Sequence, residues 1–159
     1  MKPILSILIT LSIGLALLSA CAPAAAPAAA PASGGAATGQ SLKVSGGEAA
    51  KSFTRADLEA LTATQAAFKG ASYKGVAVAE LLKAAGFDPA QVKAVKAVAV
   101  DGFTVNYDPS QFTDTGVIVA YANADGSDLS SDDGAFRMVL PNAEGKLNVR
   151  QLVELQVTK

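Results

Sequence analysis

The hydrophobic positions of this chain change rhythm along its length, and each change predicts a different kind of segment. From Ile4 to Leu18 the residues are almost wholly apolar, broken only by Ser6, Thr10, Ser12 and Gly14. From Ala22 to about Gln40 the composition is Ala, Pro, Gly and Ser with no large apolar side chain. Such a segment cannot bury enough surface to offset its ordering entropy, which predicts a disordered, semi-extended tether. Alternation of period two begins at Ser41-Leu42-Lys43-Val44-Ser45, a short strand ahead of Gly46-Gly47.

Helical spacing follows. Thr54-Arg55-Ala56-Asp57 has the form of a capping box, and the short helix after it carries Leu58 and Leu61 inward. Val78, Leu81, Leu82 and Ala85 form an apolar stripe on a second helix over Val76–Ala85, with Gly86 as its stop. Asp88-Pro89 is a further helix start. Beyond it the period returns to two. Val98 and Val100 alternate with small residues, Asp101-Gly102 marks a turn, and Phe103, Val105 and Tyr107 share one face, which predicts a hairpin. Val117–Ala122 is a near-continuous apolar strand ending near the Asp125-Gly126 turn. Phe136–Leu140 is another, stopped by Pro141. Gly145 precedes Leu147 and Val149, and Val153–Val157 closes the chain as a strand. Two helices early and several strands late predict one α+β domain over residues 42–159.

The N-terminal pattern adds chemistry. Lys2, the apolar run and the small residues after it make residues 1–20 a signal peptide, and the run is short for a span of the roughly 30 Å bilayer core. Leu18-Ser19-Ala20-Cys21 resembles the bacterial lipobox, in which the Cys thiol receives a diacylglyceryl group before cleavage in front of it. The competing reading is an uncleaved anchor with an incidental Cys, and the length and flanks of the run argue against it. Cys21 is thus the expected lipidation site, residues 21–41 the tether, and the partner a lipid membrane. Several acyl chains would hold the protein there firmly, on an extracytoplasmic face in the periplasm or at the cell surface.

Charge and composition remove other possibilities. With 13 basic against 14 acidic side chains the chain has no electrostatic footprint for nucleic acid. It has a single Cys, so no disulfide forms within it, and no His. Without His there is no Ser-His-Asp or Cys-His catalysis within the chain, and the commonest metal ligand is missing.

The order of motifs resembles the molybdopterin-binding domain of the sulfite oxidase family. Tyr73-Lys74-Gly75-Val76-Ala77-Val78-Ala79-Glu80-Leu81-Leu82-Lys83-Ala84-Ala85-Gly86 is similar to its G-V-x-L-x-x-L-L-x-x-A-G segment. Val100-Asp101-Gly102-Phe103 is similar to its D-G-Y/F turn, and Asp133-Gly134-Ala135-Phe136-Arg137-Met138-Val139-Leu140-Pro141 to its G-x-P-x-R-L-V-V-P strand. Residues 148–157 resemble its closing strand. The resemblance implies an α+β fold built on a mixed, curved sheet with a few short helices.

The resemblance also implies a metal-ligating Cys just before the G-V-x-L helix. Here that stretch, Thr64–Ser72, is shortened and holds no Cys, and neither Ser72 nor Thr64 replaces a soft thiolate. The family's cofactor-contacting His is missing as well. Arg137 and Arg150 fall on basic positions of the pattern, with Lys146 nearby, and are candidate contacts for an anion. The family's exported enzymes leave the cytoplasm folded around their cofactor by the twin-arginine route, whereas Lys2-Pro3 has no Arg pair. No catalytic residue, metal or cofactor is therefore expected, and molybdopterin enters by resemblance alone.

Other groupings have plainer explanations. Asp125, Asp128, Asp132 and Asp133 lack the register of an EF-hand and read as a solvated loop. Tyr73, Phe103, Tyr107, Phe112, Tyr121 and Phe136 read as core side chains on alternating strands rather than a pocket lining. Asp101 reads as a turn residue, and Arg137 either contacts a ligand or forms a structural salt bridge. Two functions remain. One is a membrane-tethered, non-catalytic module for a small anionic ligand or a protein partner; the other is a molybdopterin-dependent oxidoreductase or a subunit of one.

Overall fold

Residues 39–159 are described by this computed structural model; the segment read as a signal peptide, Cys21 and nearly all of the segment read as a tether lie outside the described residues. Strand β1 (Ser41–Gly46) opens the domain at the last residue assigned to the tether, and its alternation is real: Leu42 and Val44 are fully buried. A turn folds it onto β2 (Ala49–Thr54), whose edge faces solvent except at Phe53. Thr54 then caps α1 (Arg55–Glu59) through the expected capping box, and Leu58 is buried while Leu61 packs half-buried against the core.

The next stretch departs from the sequence reading. Residues 63–77 form an antiparallel hairpin, β3 (Ala63–Phe68) and β4 (Ala71–Ala77), so strands are present early as well as late. Val76 belongs to β4, and α2 (Val78–Ala84) begins two residues later than its stripe suggests. Val78, Leu81 and Leu82 are fully buried on the stripe, each contributing about 1.5–3 kcal/mol, and the helix ends before Gly86 as expected. Asp88-Pro89 starts only a 3₁₀ turn, Pro89–Gln91, with the Asp88 carboxylate accepting from the Ala90 N–H at 3.0 Å.

The predicted hairpin is formed by β5 (Ala94–Ala99) and β6 (Thr104–Tyr107). Its inward face carries Val95, Ala97, Ala99, Val105 and Tyr107, while Val100 and Phe103 flank the turn and are exposed. A single turn, α3 (Pro109–Phe112), leads to β7 (Ile118–Asn123), then β8 (Arg137–Val139), a 3₁₀ turn at Gly145–Leu147, and β9 (Leu152–Thr158).

Among the described residues nine strands are shared between two sheets, ordered β2-β1-β9-β5-β6 and β3-β4-β7-β8. Of these strands only β1 and β9 pair in parallel, which makes the first sheet mixed. The main core joins both sheets with α2: Leu42, Val44 and Leu155 from one, Val76, Val119, Tyr121 and Met138 from the other. On its opposite face the second sheet buries Ala66, Tyr73, Ile118, Ala120 and Val139. Because β7 is buried on both faces, its apolar run is continuous rather than alternating. Gly75 sits where β4 crosses closest to β7; a Cβ there would lie 2.1 Å from the Val119 carbonyl oxygen. This α+β fold, curled sheets with short helices, is the one the motifs imply.

Candidate functional site

An open cleft of about 500 Å³ lies where the β3–β4 hairpin meets the segments on either side of β8. Its formation follows from local sequence. Lys69 and Gly70 form the two-residue turn of the hairpin with φ of 50° and 82°, the left-handed pair such a tight turn requires. That turn sends the Lys69 side chain towards Gly145, where its Nζ would come within 3.3 Å of a Cβ. A Cβ at 145 would crowd the lysine.

On the other side, residues 148–152 run along the edge of the second sheet. Met138 N–H donates to the Val149 carbonyl at 2.7 Å, Leu152 N–H to Phe136 at 2.8 Å, and Gln151 N–H to Asp133 at 2.8 Å. Gln151 holds φ of 49°, and Gly134, with φ of 75°, approaches it so closely that a Cβ would lie 2.9 Å from the Gln151 Cα. This contact fixes Asp133 and Arg150, the neighbours of the two residues, at the cleft. Asn148 is buried and spends its amide on backbone: Oδ1 accepts from Leu140 N–H at 2.7 Å, and Nδ2 donates to Leu140 and Glu144 carbonyls. It shapes the wall and offers no free donor.

Arg137 is the most buried charged group of the cleft. It is 5% exposed, its Nη1 donates to Asp133 at 2.6 Å and to the Tyr73 phenol oxygen at 2.8 Å, and its guanidinium lies 4.5 Å from the Tyr73 ring centre. Both halves of this ion pair are withdrawn from water, so it must be held by hydrogen bonds as well as charge. Its Nε is buried without an acceptor. Arg137 is therefore both a structural salt bridge and a cleft residue.

Arg150 and Lys69 are exposed cations lining the same cleft, together with Asp132, Ser130 and the half-buried Phe68. Lys146 stands outside the lining, on the neighbouring 3₁₀ turn, paired with Glu144 at 2.7 Å. Glu144 raises the lysine's pKa by its hydrogen bond, and Lys146 lowers that of Glu144 in return. Lys69 was not among the residues the sequence singles out. A lysine before glycine in a tight turn looks like any solvated loop residue, and only the hairpin register carries it here.

The acidic loop is dispersed among separate partners. Asp125 caps its own turn through Ser127, Asp128 pairs with Arg55, and Asp133 pairs with Arg137. Among the described residues no group of His, Cys, Asp and Glu is arranged to hold a metal ion. Of the aromatics, Tyr107, Phe112 and Phe136 are core, Tyr73 lines the cleft and Phe103 is exposed. Tyr107 donates to the Leu147 carbonyl at 2.5 Å, and burial pushes its phenol well above the ordinary value.

The donor set decides what the cleft fits. The stretch where the resemblance places a metal-ligating thiolate is the β3–β4 hairpin, and the side chain its tip delivers to the cleft is the ammonium of Lys69. Residues 41–159 contain neither Cys nor His. An ammonium repels a metal cation and carries no lone pair while protonated, so these residues do not fit a protein-ligated molybdenum centre.

Residues 41–159 match the family model described as oxidoreductase molybdopterin binding domain. Among solved structures, the sulfane dehydrogenase SoxCD of Paracoccus pantotrophus is similar, with a TM-score of 0.64 and 22% identity. The match covers 76% of this chain and 38% of that one, so this chain spans well under half the length of the relative. No curated protein matches.

Proposed function

This chain belongs to the oxidoreductase molybdopterin-binding domain family, and from that premise we propose that it is a lipid-anchored, extracytoplasmic member serving as a non-catalytic binding module. The anchor is acylated Cys21, and the domain hangs from it by the Ala/Pro-rich tether. The ligand is a small anionic species held in the cleft between the β3–β4 hairpin and β8. The observation that carries this reading is the cationic lining of the cleft, where Lys69 from the hairpin tip joins Arg137 and Arg150 and no thiolate is present among residues 41–159. Arg150 and Lys69 supply contact charges and Arg137 the buried wall, while Lys146 on the adjoining turn is neutralised by Glu144.

Family membership by itself favours a second reading, a molybdopterin-dependent oxidoreductase or a subunit of one, with its metal ligand supplied from elsewhere. Expression of the full chain with its own signal in a molybdenum-competent host separates the two. The expected product fractionates with membranes, carries a diacylglyceryl mass on its N-terminal peptide, and holds neither molybdenum nor pterin by elemental and fluorescence analysis. Stoichiometric molybdenum with pterin would overturn the binding-module reading, and a Cys21→Ser protein that still fractionates as lipid-modified would overturn the anchor.

A further inference from the structure

Among the described residues the exposed large hydrophobics are Val100, at 60%, and Phe103, at 47%. Both flank the turn joining β5 to β6, a place where polar residues are the ordinary choice. The turn holds them rigidly. Ala99 N–H donates to the Phe103 carbonyl at 2.9 Å, Gly102 N–H to the Ala99 carbonyl at 3.0 Å, and Val100 N–H to the Gln151 carbonyl of the neighbouring segment at 3.0 Å. Gly102 takes φ of 84°, and the Asp101 carboxylate folds back to accept from Phe103 N–H at 2.9 Å. Side chains presented on so fixed a frame lose little freedom when they make a contact.

The strand register places that tip relative to the point where the chain enters the domain. One row of paired residues crosses the first sheet through Lys43, Glu154, Val98 and Thr104. Ser41 precedes Lys43 on β1, Val100 follows Val98, and Phe103 precedes Thr104. Because β9 runs parallel to β1 and β5 runs antiparallel to β9, all three residues lie on the same side of the row. The segment read as a tether therefore joins the domain at the end of the sheet that carries the tip, three strand spacings or about 14 Å across. The turn at Gly47 and Glu48 lies at the opposite end. Between Cys21 and Ser41 the chain can span no more than about 70 Å.

Resting on the lipid-anchor reading, we propose that the β5–β6 tip docks on the surface of the membrane that holds acylated Cys21, with Val100 and Phe103 as its contacts. Anchoring turns that contact into an intramolecular one at high effective concentration, so two side chains suffice where a free protein would need more. Two partly exposed side chains fall far short of the roughly 800 Å² per partner that a stable protein interface buries, which argues against a second copy as the occupant. Asp101, between the two in sequence, sets the depth. Its charge keeps the turn at the headgroup level, where the apolar side chains reach the acyl boundary while the carboxylate stays in water.

The chain contains no Trp, so a single introduced indole reports on its own surroundings. Full-length protein made with its own signal in a bacterial host is reconstituted into phosphatidylcholine vesicles, with or without brominated acyl chains. Flotation scores the anchor, and fluorescence of the floated protein scores the tip. In Phe103→Trp the emission is expected to shift to the blue and to fall by about half or more in brominated vesicles. Glu48→Trp, at the opposite end of the sheet, is expected to keep its emission. Adding Val100→Asp to Phe103→Trp is expected to restore most of the lost emission, because the native valine shares the contact. Floated Phe103→Trp protein that brominated lipid does not quench overturns the docking and leaves the anchor standing. Equal quenching with and without Val100→Asp overturns it too, since the introduced indole alone would then make the contact. A blue-shifted but unquenched indole, in protein that runs as a dimer in detergent, overturns the lipid surface in favour of a second copy. Protein that does not float overturns the anchor and the docking together.

Discussion

Asp133 and Arg137 are both withdrawn from water, so the energetic weight of their ion pair lies in what its loss leaves behind. Truncating Asp133 strands a guanidinium that already has one unsatisfied nitrogen. Asp133→Ala is expected to lower unfolding stability by about 3–5 kcal/mol, read from the midpoint of urea unfolding. The paired change Asp133→Leu with Arg137→Met removes both charges and is expected to cost clearly less than the single change. A double variant as unstable as Asp133→Ala would mean that the site depends on shape rather than on charge pairing. Arg137 was legible in the sequence for a physical reason: an arginine inside the run Phe136–Leu140 must find a partner wherever that strand is buried. Its partner Asp133 reads as one more acid in a solvated loop. Lys69 was not legible at all, because nothing in the order of residues says that a turn lysine reaches across to Gly145.

Among the elements, legibility followed side-chain contrast. Strands β1, β7 and β9 carry Val, Leu or Ile, and their apolar patterns name them. Strands β2 and β3 are built largely of Ala, Ser, Thr, Lys and Gln, whose alternation has little amplitude, and β2 buries only Phe53. The helix start at Val78 was blurred for a related reason. Its N-cap is Ala77, which makes no side-chain cap, so Val76 of β4 runs unmarked into the helical stripe. What fixes β4 as a strand is Gly75, where the absence of a side chain lets β7 approach. A Cβ there would meet the Val119 oxygen at 2.1 Å and the Ala120 Cα at 2.7 Å, both backbone atoms that no rotamer change can move. Gly75→Ala is expected to cost more than about 4 kcal/mol or to prevent folding, beyond the ordinary range for single substitutions. Gly39→Ala, with nothing within 4 Å of the added carbon, is the control. Near-equal unfolding midpoints for the two proteins would show that β4 and β7 part more easily than their packing implies.

For the molecule as a whole, the distribution of titrating groups sets the shape of stability against pH. Hydrogen bonds from Thr54 hold Asp57 below its ordinary 3.8, and those from Ser127 do the same for Asp125. Gln156 and Lys43 lower Glu154, and Lys146 lowers Glu144, from an ordinary 4.5. A carboxylate depressed in the folded state stabilises fully above its unfolded value, and that contribution is lost as pH falls through the folded value. At the basic end the shifts run upward. Burial raises Tyr107 from 10.0, Glu144 raises Lys146 from 10.5, and Glu59 raises Arg55 from 12.5. Stability from these groups is complete below their unfolded values and declines as pH rises past them. Between the two limits the chain contains no His to titrate. The urea midpoint of the protein is therefore expected to be level from about pH 5.5 to 7.5, to fall below about pH 4, and to fall again above about pH 10. A step of about 1 kcal/mol or more inside the neutral window would demand a carboxyl group whose pKa has been driven far upward, and the carboxylates with resolved shifts move the other way.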